Sequence, residues 1–248
     1  MNRHETQWAL EELGKIPEPY KPTFNFSGTY IDEAHQSLSG CPLNDDGLTI
    51  NWDPEITGWL QREDALKLYE MAYFSNGDIL ELGSYHGLST SIISLANLKR
   101  SRRKTVYSVE LDQECHKRTE QTLRRKGLQE GTRLINDDAR KFVEEAAKKG
   151  GKYGFIFVDH SHAYEPVYEV CRFFDQIMKK DGFVLFHDYN DPANLDPEQP
   201  GMKVYQAVRD GLNQEAFELY GMYGCTALFK FKNTRRIFPR WLERQRKQ

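Results

Sequence analysis

The chain has 248 residues, enough for one main domain with a substantial buried core. Its 34 basic and 37 acidic side chains nearly cancel, so the overall charge gives no reason to expect nucleic acid as a partner. Cys41, Cys115, Cys171 and Cys225 are scattered without a C-x-x-C, which argues against a disulfide framework or a zinc knuckle. The polar start Met1-Asn-Arg-His-Glu-Thr-Gln7 and the lack of any apolar run of membrane-spanning length lead to the expectation of a reducing, cytoplasmic setting without stable membrane insertion.

In chain order, residues 1–59 are broken by Pro17, Pro19, Pro22, Gly28, Gly40, Pro42 and Gly47 and read as a cap with short helices. Its aromatic residues Tyr20, Phe24, Phe26, Tyr30 and Trp52 either line a pocket or pack on the core, the second being the commoner fate. Asp53-Pro54 is expected to open a helical stretch that runs through Asp64 to Phe74. Asp78-Ile-Leu-Glu-Leu-Gly-Ser-Tyr-His-Gly-Leu-Ser-Thr90 follows, a short buried strand turning through Gly83 and Gly87 into a helix whose apolar face is Leu88, Ile92, Ile93 and Leu95. Without Cβ atoms the backbone turns sharply there and a ligand can approach the peptide planes, although an empty strand-to-helix turn would look the same. The next strand, Thr105-Val-Tyr-Ser-Val-Glu-Leu-Asp112, places Glu110 27 positions after Gly83. In a doubly wound sheet an acid at that strand end can accept both hydroxyls of a ribose, and as a lone acid it could equally be a solvated strand end. Thr132 to Ala139 again ends a strand in carboxylates, with Asp138 and Ala139 placed to meet an adenine.

These three segments, Glu81-Leu-Gly-Ser-Tyr-His-Gly87, Ser108-Val-Glu110 and Asp137-Asp138-Ala139, resemble the successive cofactor motifs of class I S-adenosylmethionine-dependent methyltransferases. A nicotinamide enzyme would need Gly-x-Gly-x-x-Gly, whereas here the spacing is Gly-x-x-x-Gly, and Tyr85 crowds the place of a pyrophosphate. The resemblance implies an α/β fold: a doubly wound, Rossmann-like, seven-stranded and mostly parallel sheet with one antiparallel edge strand, preceded by the N-terminal cap. It implies S-adenosylmethionine as cofactor, with Glu81 toward the amino acid end. The cofactor contacts carried over are Glu81, Gly83, Ser84, Tyr85, Gly87, Ser89, Glu110, Asp138, Ala139, Asp159 and His160.

Further along, the apolar strand in Lys152-Tyr-Gly-Phe-Ile-Phe-Val-Asp-His-Ser-His-Ala-Tyr-Glu165 ends at Asp159, followed by His160, Ser161 and His162. After a helix over roughly Pro166 to Lys179, the strand Gly182-Phe-Val-Leu-Phe-His-Asp188 ends in His187-Asp188. Parallel strands lie about 4.8 Å apart, so groups at neighbouring C-terminal ends can converge on one ion. This pattern resembles the metal-dependent O-methyltransferases: catechol O-methyltransferase, the macrolide-sugar O-methyltransferases and the group that includes cephalosporin-biosynthesis proteins. The resemblance implies Asp159, His187 and Asp188 as ligands of a divalent metal, His160 beside the adenine and His162 as the catalytic base. His187 stands where an oxygen ligand is usual. Magnesium prefers oxygen and imidazole suits manganese and its neighbours, so the metal stays open between magnesium and manganese. His86, in the glycine turn, is a weaker candidate for catalysis.

After Asp188 a polar, proline-rich loop to Gly201 lies at the same edge and is expected to take part in substrate recognition. Met202 to Leu212 has helical periodicity, and Phe217 to Tyr223 with Cys225 to Phe231 read as a pair of edge strands. The tail from Arg235 to Lys247 is basic and amphipathic and either touches an anionic surface or packs on its own domain. The expected organisation is a cap over 1–59, a methyltransferase domain over 60–232 and the tail over 233–248. The expected activity is a metal-assisted O-methyl transfer to a hydroxylated small molecule, such as a sugar or a natural-product intermediate. The alternatives are a metal-independent O- or N-methyltransferase and a non-catalytic cofactor-binding protein of the same fold. In methyltransferases of the type it resembles, such an appendage often covers the active site or builds a dimer interface, so the resemblance leaves room for a homo-oligomer.

Overall fold

The computed structural model describes residues 30–232. Tyr20, Phe24, Phe26 and the basic tail lie outside the described residues. Seven strands form one sheet in the order β3-β2-β1-β4-β5-β7-β6. Their ranges are Asp78–Leu82 (β1), Val106–Glu110 (β2), Thr132–Asn136 (β3), Tyr153–Val158 (β4), Met178–Phe186 (β5), Phe217–Tyr223 (β6) and Thr226–Phe231 (β7). The first five are parallel, and β7 runs antiparallel between β5 and β6, so the expected closing hairpin forms that edge.

Eight α-helices among the described residues pack on the two faces: Glu33–Ser39 (α1), Arg62–Phe74 (α2), Leu88–Lys99 (α3), Gln113–Lys126 (α4), Ala139–Lys148 (α5), Tyr164–Cys171 (α6), Phe174–Ile177 (α7) and Val204–Gly211 (α8). Successive side chains of a strand point to opposite faces, and the central strands supply apolar residues to both. Ile79, Phe155, Phe157 and Leu185 join Leu68 of α2 and Ile92 of α3 in one core. Leu80, Ile156, Val158 and Phe186 join Val143, Val167, Phe174 and Val208 in the other.

Several element boundaries differ from the sequence reading. Residues 53–60 are not helical: a single turn closes by Ile56 N–H donating to Asp53 O, and the chain then runs extended until Gln61 caps α2. The reason is tertiary: Gly58 packs so close to Leu88 that a Cβ there would sit 2.8 Å from that side chain. The expected helix over Pro166 to Lys179 is two helices, α6 beginning two residues earlier and α7 ending at Ile177, with β5 starting at Met178. Of the cap aromatics within the described residues, Tyr30 packs edge-on against His35 and Trp52 lies under the Lys126 ammonium at 4.2 Å.

The strand order reverses between β1 and β4, and the crevice outside the C-terminal ends of these strands is where open α/β sheets bind ligands. Register places the functional segments there. Leu82 pairs with Val109 and Val158, and Val158 pairs with Phe186, so the residues one step on leave the sheet in a single row. The ladder continues past the strands, with Gly83 N–H donating to Val109 O, Asp159 N–H to Leu82 O and His187 N–H to Val158 O.

Candidate active site

Gly83 ends β1 with φ +89°, a left-handed conformation that L side chains rarely adopt. What needs the missing Cβ is the neighbouring strand: a Cβ would overlap the Asp159 backbone and sit 2.6 Å from His160 Cα. The glycine thus brings β1 and β4 together at the crevice, a more specific task than room for a ligand. The turn is held by Glu110, whose Oε2 accepts the N–H groups of Ser84 (3.0 Å) and Tyr85 (2.8 Å) while Oε1 accepts that of Asp112. Glu110 is therefore no mere solvated strand end.

Glu81 is fully buried on the α3 side of β1. Its Oε2 accepts the hydroxyls of Thr90 (2.6 Å) and Ser108 (2.5 Å), while Oε1 has no well-formed hydrogen bond among the described residues. Burial pushes this carboxyl up to about 7, against the hydrogen bonds of Ser108, Ser89 and Thr90. A buried carboxylate oxygen left without a partner is a group that an ammonium can satisfy.

On the other side of Gly83, Val109, Glu110, Leu111, Asp138, Ala139 and His160 line a cavity of about 190 Å³. The Asp138 carboxylate is already engaged there, capping α5 through the N–H of Arg140 and ion-pairing with the Arg140 guanidinium, whose hydrogen bond lowers its pKa to about 2. Its expected contact with adenine is therefore not made by a free carboxylate, and Ala139 lines the wall directly. His160 is half-buried, its partial desolvation lowers its pKa, and its Nε2 lies 3.3 Å from Pro166 O. Only a protonated Nε2 can bond a carbonyl, so Nδ1, with no hydrogen bond among the described residues, is an acceptor in the wall of this cavity. An orphan acceptor there fits the exocyclic amine of adenine; Glu81, by contrast, lies behind the turn and is not among the residues lining this cavity or its larger neighbour.

A second cavity of about 260 Å³ shares Gly83 as a wall and is lined by Thr57, Trp59, Leu60, Ser84, Tyr85, Ser89, Asp159, His162, His187, Asp188 and Met202. His187 Nδ1 lies 3.4 Å from Asp159 Oδ1 and 3.1 Å from Asp188 Oδ2. Ligands about 2.1 Å from one ion and at right angles are roughly 3.0 Å apart, so these are ligand-to-ligand spacings. Nδ1 is buried without a well-formed hydrogen bond among the described residues, the orphan a bound cation would satisfy. Asp159, His187 and Asp188 thus fit a divalent ion. His162 Nε2 joins them, 3.0 Å from Asp188 Oδ2 and 4.0 Å from Asp159 Oδ1.

The charges follow from this crowding. Burial alone would lower the pKa of His187, but the charge of Asp159 beside it raises it well above the ordinary value. The hydrogen bond to Asp188 raises His162, and Asp188 is in turn held far below the carboxylate range, the two imidazoles overcoming its burial. Asp188 has φ +54°, a left-handed conformation that turns its carboxylate back toward His187. The conformation is uncommon outside glycine, though aspartate tolerates it, and it is held here by its surroundings: the Asp188 carbonyl accepts the buried Asn194 side chain at 2.7 Å.

Of the remaining candidates, Gly87 caps α3 at φ +90°, and Tyr85 is exposed, with its ring 5.6 Å from that of Trp59. His86 stacks on Tyr85 and faces Arg118 at 3.5 Å, and it is not among the residues lining the 260 Å³ cavity. Sequence reasoning missed Trp59, Leu60 and Met202, which line that cavity from the cap and from the loop before α8. It also missed Asp64 and Cys225, which lie behind His187. Nothing in their local sequence distinguishes them from core or helix-cap residues.

Residues 80–189 match the family model described as a methyltransferase domain. None of the curated proteins matches the chain. Among solved structures, the O-methyltransferase TomG from Streptomyces achromogenes, involved in tomaymycin synthesis and solved with S-adenosylmethionine, superposes with a TM-score of 0.54 at 14% identity, covering 94% of this chain and 100% of that one. A provisionally assigned caffeoyl-CoA O-methyltransferase from Staphylococcus aureus gives 0.56 at 15% identity, over 72% of this chain and 87% of that one. A provisionally assigned O-methyltransferase from Klebsiella pneumoniae gives 0.56 at 13%, over 92% and 96%. At these identities the likeness is one of fold. Residues 80–189 thus match a methyltransferase domain, and the sheet order and glycine turn around them give the chain the Rossmann-like methyltransferase fold.

Proposed function

We propose that the protein is a divalent-cation-assisted O-methyltransferase acting on a hydroxylated small molecule, of the size of a sugar or a natural-product intermediate. The observation that carries this reading is the convergence of Asp159 Oδ1, His187 Nδ1 and Asp188 Oδ2, with the imidazole nitrogen buried and open. These three residues would hold the cation, which when bound supplies Lewis acidity that lowers the pKa of an acceptor hydroxyl. The O-methyl neighbours named above support the oxygen acceptor by analogy of fold alone.

This chain's own residues do the rest. Glu81 and the Ser84–Ser89 turn hold the methionine end of the methyl donor, while Glu110, Ala139 and His160 hold its nucleoside. The acceptor oxygen forms a bond to the methyl carbon as the carbon–sulfur bond breaks, and the hydroxyl proton passes to Nδ1 of His162, whose proton affinity Asp188 raises by accepting the Nε2–H of the same ring. Thr57, Trp59 and Leu60 place the end of the cap over the cavity, so we take the cap to share in acceptor choice and to exclude water.

The test is Asp159→Asn, which keeps the size and removes the charge. Cation affinity by calorimetry and turnover are both expected to fall, turnover by at least on the order of a hundredfold, with S-adenosylhomocysteine affinity retained. Full turnover after exhaustive chelation would overturn the cation role. One observation favours a second reading in that event: the 3.0 Å His162–Asp188 pair is a base dyad on its own and would serve a metal-independent O- or N-methyl transfer.

A further inference from the structure

The ring of His187 has a second face, turned away from the carboxylates. There Nε2 lies 3.3 Å from Cys225 Sγ, in the turn between β6 and β7, and 3.9 Å from Asp64 Oδ2 on α2. Asp64 is fully buried and fixed from several sides. Its Oδ1 accepts the N–H groups of Cys225 (3.0 Å) and Thr226 (3.1 Å), and its Oδ2 accepts that of Gln61 (2.9 Å) and the Cys225 thiol (3.3 Å). A carboxylate can only accept, so the S–H proton is directed to Asp64 and a sulfur lone pair is left facing the ring. Nε2 must then be the donor. With that nitrogen fixed as N–H, Nδ1 is the atom presented to Asp159 and Asp188.

We propose that Asp64 and Cys225 form a positioning relay, carboxylate to thiol to imidazole, that locks the ring orientation and tautomer of His187 and thereby commits the site to a borderline transition-metal ion such as Mn²⁺ over Mg²⁺. The second half rests on the cation reading given above. Ligating histidines are held by a partner on their other nitrogen, and a nitrogen donor suits a transition metal where magnesium wants oxygen. The relay also explains why two chain segments far apart in sequence, α2 and the last hairpin, are tied together at a point no catalytic step uses.

The experiment compares the full-length protein with Cys225→Ala, Cys225→Ser and Asp64→Asn by long-range ¹H–¹⁵N spectra of the imidazoles, recorded at alkaline pH where the His187 ring is neutral, with His187→Gln to assign the signal, and by calorimetric titration with Mn²⁺ and Mg²⁺. Cys225→Ala leaves the backbone bonds to Asp64 in place but removes the acceptor of Nε2–H, and Asp64→Asn releases the thiol proton toward the ring. Both are expected to move the His187 signal away from the Nε2–H form and to weaken Mn²⁺ binding by about 10- to 100-fold. Cys225→Ser, which keeps a hydroxyl relay, is expected to restore most of both. Unchanged His187 spectra and Mn²⁺ affinity in folded Cys225→Ala, or in Asp64→Asn should the alanine variant not fold, would overturn the relay. Wild-type binding of Mg²⁺ at least as tight as Mn²⁺ would overturn the metal preference. Absence of any cation binding by the wild type would overturn the cation reading and the preference together, while the spectra still decide the relay.

Discussion

Replacing Glu81 by glutamine should make the protein more stable at high pH while weakening its hold on the methyl donor. The carboxyl is fully buried, and burial raises its pKa from 4.5 to about 7. A group whose folded pKa is raised gives stability that is fully present below the unfolded pKa and is lost as pH rises through the folded one. At about 1.4 kcal/mol per pH unit, the interval from 4.5 to about 7 sets a ceiling of about 3 kcal/mol on that loss. Glu81→Gln does not titrate, so its stability relative to wild type should rise between pH 5 and pH 8 by an amount approaching that ceiling. The ammonium of the donor favours the ionised form of Glu81, so uptake of the donor or of its demethylated product should release protons below pH 7. Denaturant unfolding midpoints across the pH range measure the first effect, and calorimetry in buffers of different ionisation heat measures the second. Parallel stability profiles for wild type and variant, together with equal product affinity, would refute the assignment of Glu81.

Three other outcomes are expected. Gly83→Ala forces a left-handed residue against the Asp159 backbone and should cost more than ~1 kcal/mol of folding stability, read from the unfolding midpoint. Trp59→Ala, at the mouth of the 260 Å³ cavity, should raise the acceptor KM by roughly tenfold and leave the affinity for S-adenosylhomocysteine unchanged. His162→Gln should lower kcat by about 10²- to 10⁴-fold with cation affinity largely retained, and a large loss of cation affinity instead would make His162 a ligand.

The sheet was legible in the sequence because the central parallel strands are short, largely apolar runs followed by a glycine or a charged residue, a signal β4 carries in full and β3, with Arg133 and Asn136, does not. The cofactor and cation candidates were legible for the same reason: strand ends in a doubly wound sheet face one crevice. What the local pattern could not supply was register and long-range contact. That Asp159 and His187 stand in one row follows from the pairing of Val158 with Phe186, and no residue taken alone encodes that pairing. Asp138 looked like an open carboxylate, but Arg140 two residues later engages it. Asp64 looked like an ordinary acid in the first turn of a helix, which it is, and its contact with Cys225 spans 161 residues. The non-helical course of 53–60 was hidden because what decides it is the crowding of Gly58 by Leu88, a contact between separate segments.

The left-handed backbone at Asp188 narrows what evolution or an engineer can place there. Among common side chains only glycine, asparagine and aspartate visit that conformation cheaply, and glycine brings no oxygen. A charge-tuning swap to asparagine is therefore open at this position, whereas glutamate would offer the same carboxylate on a main chain that resists the bend. Attempts to soften or harden the proposed ligand set will find more latitude at Asp159, whose side chain is partly exposed.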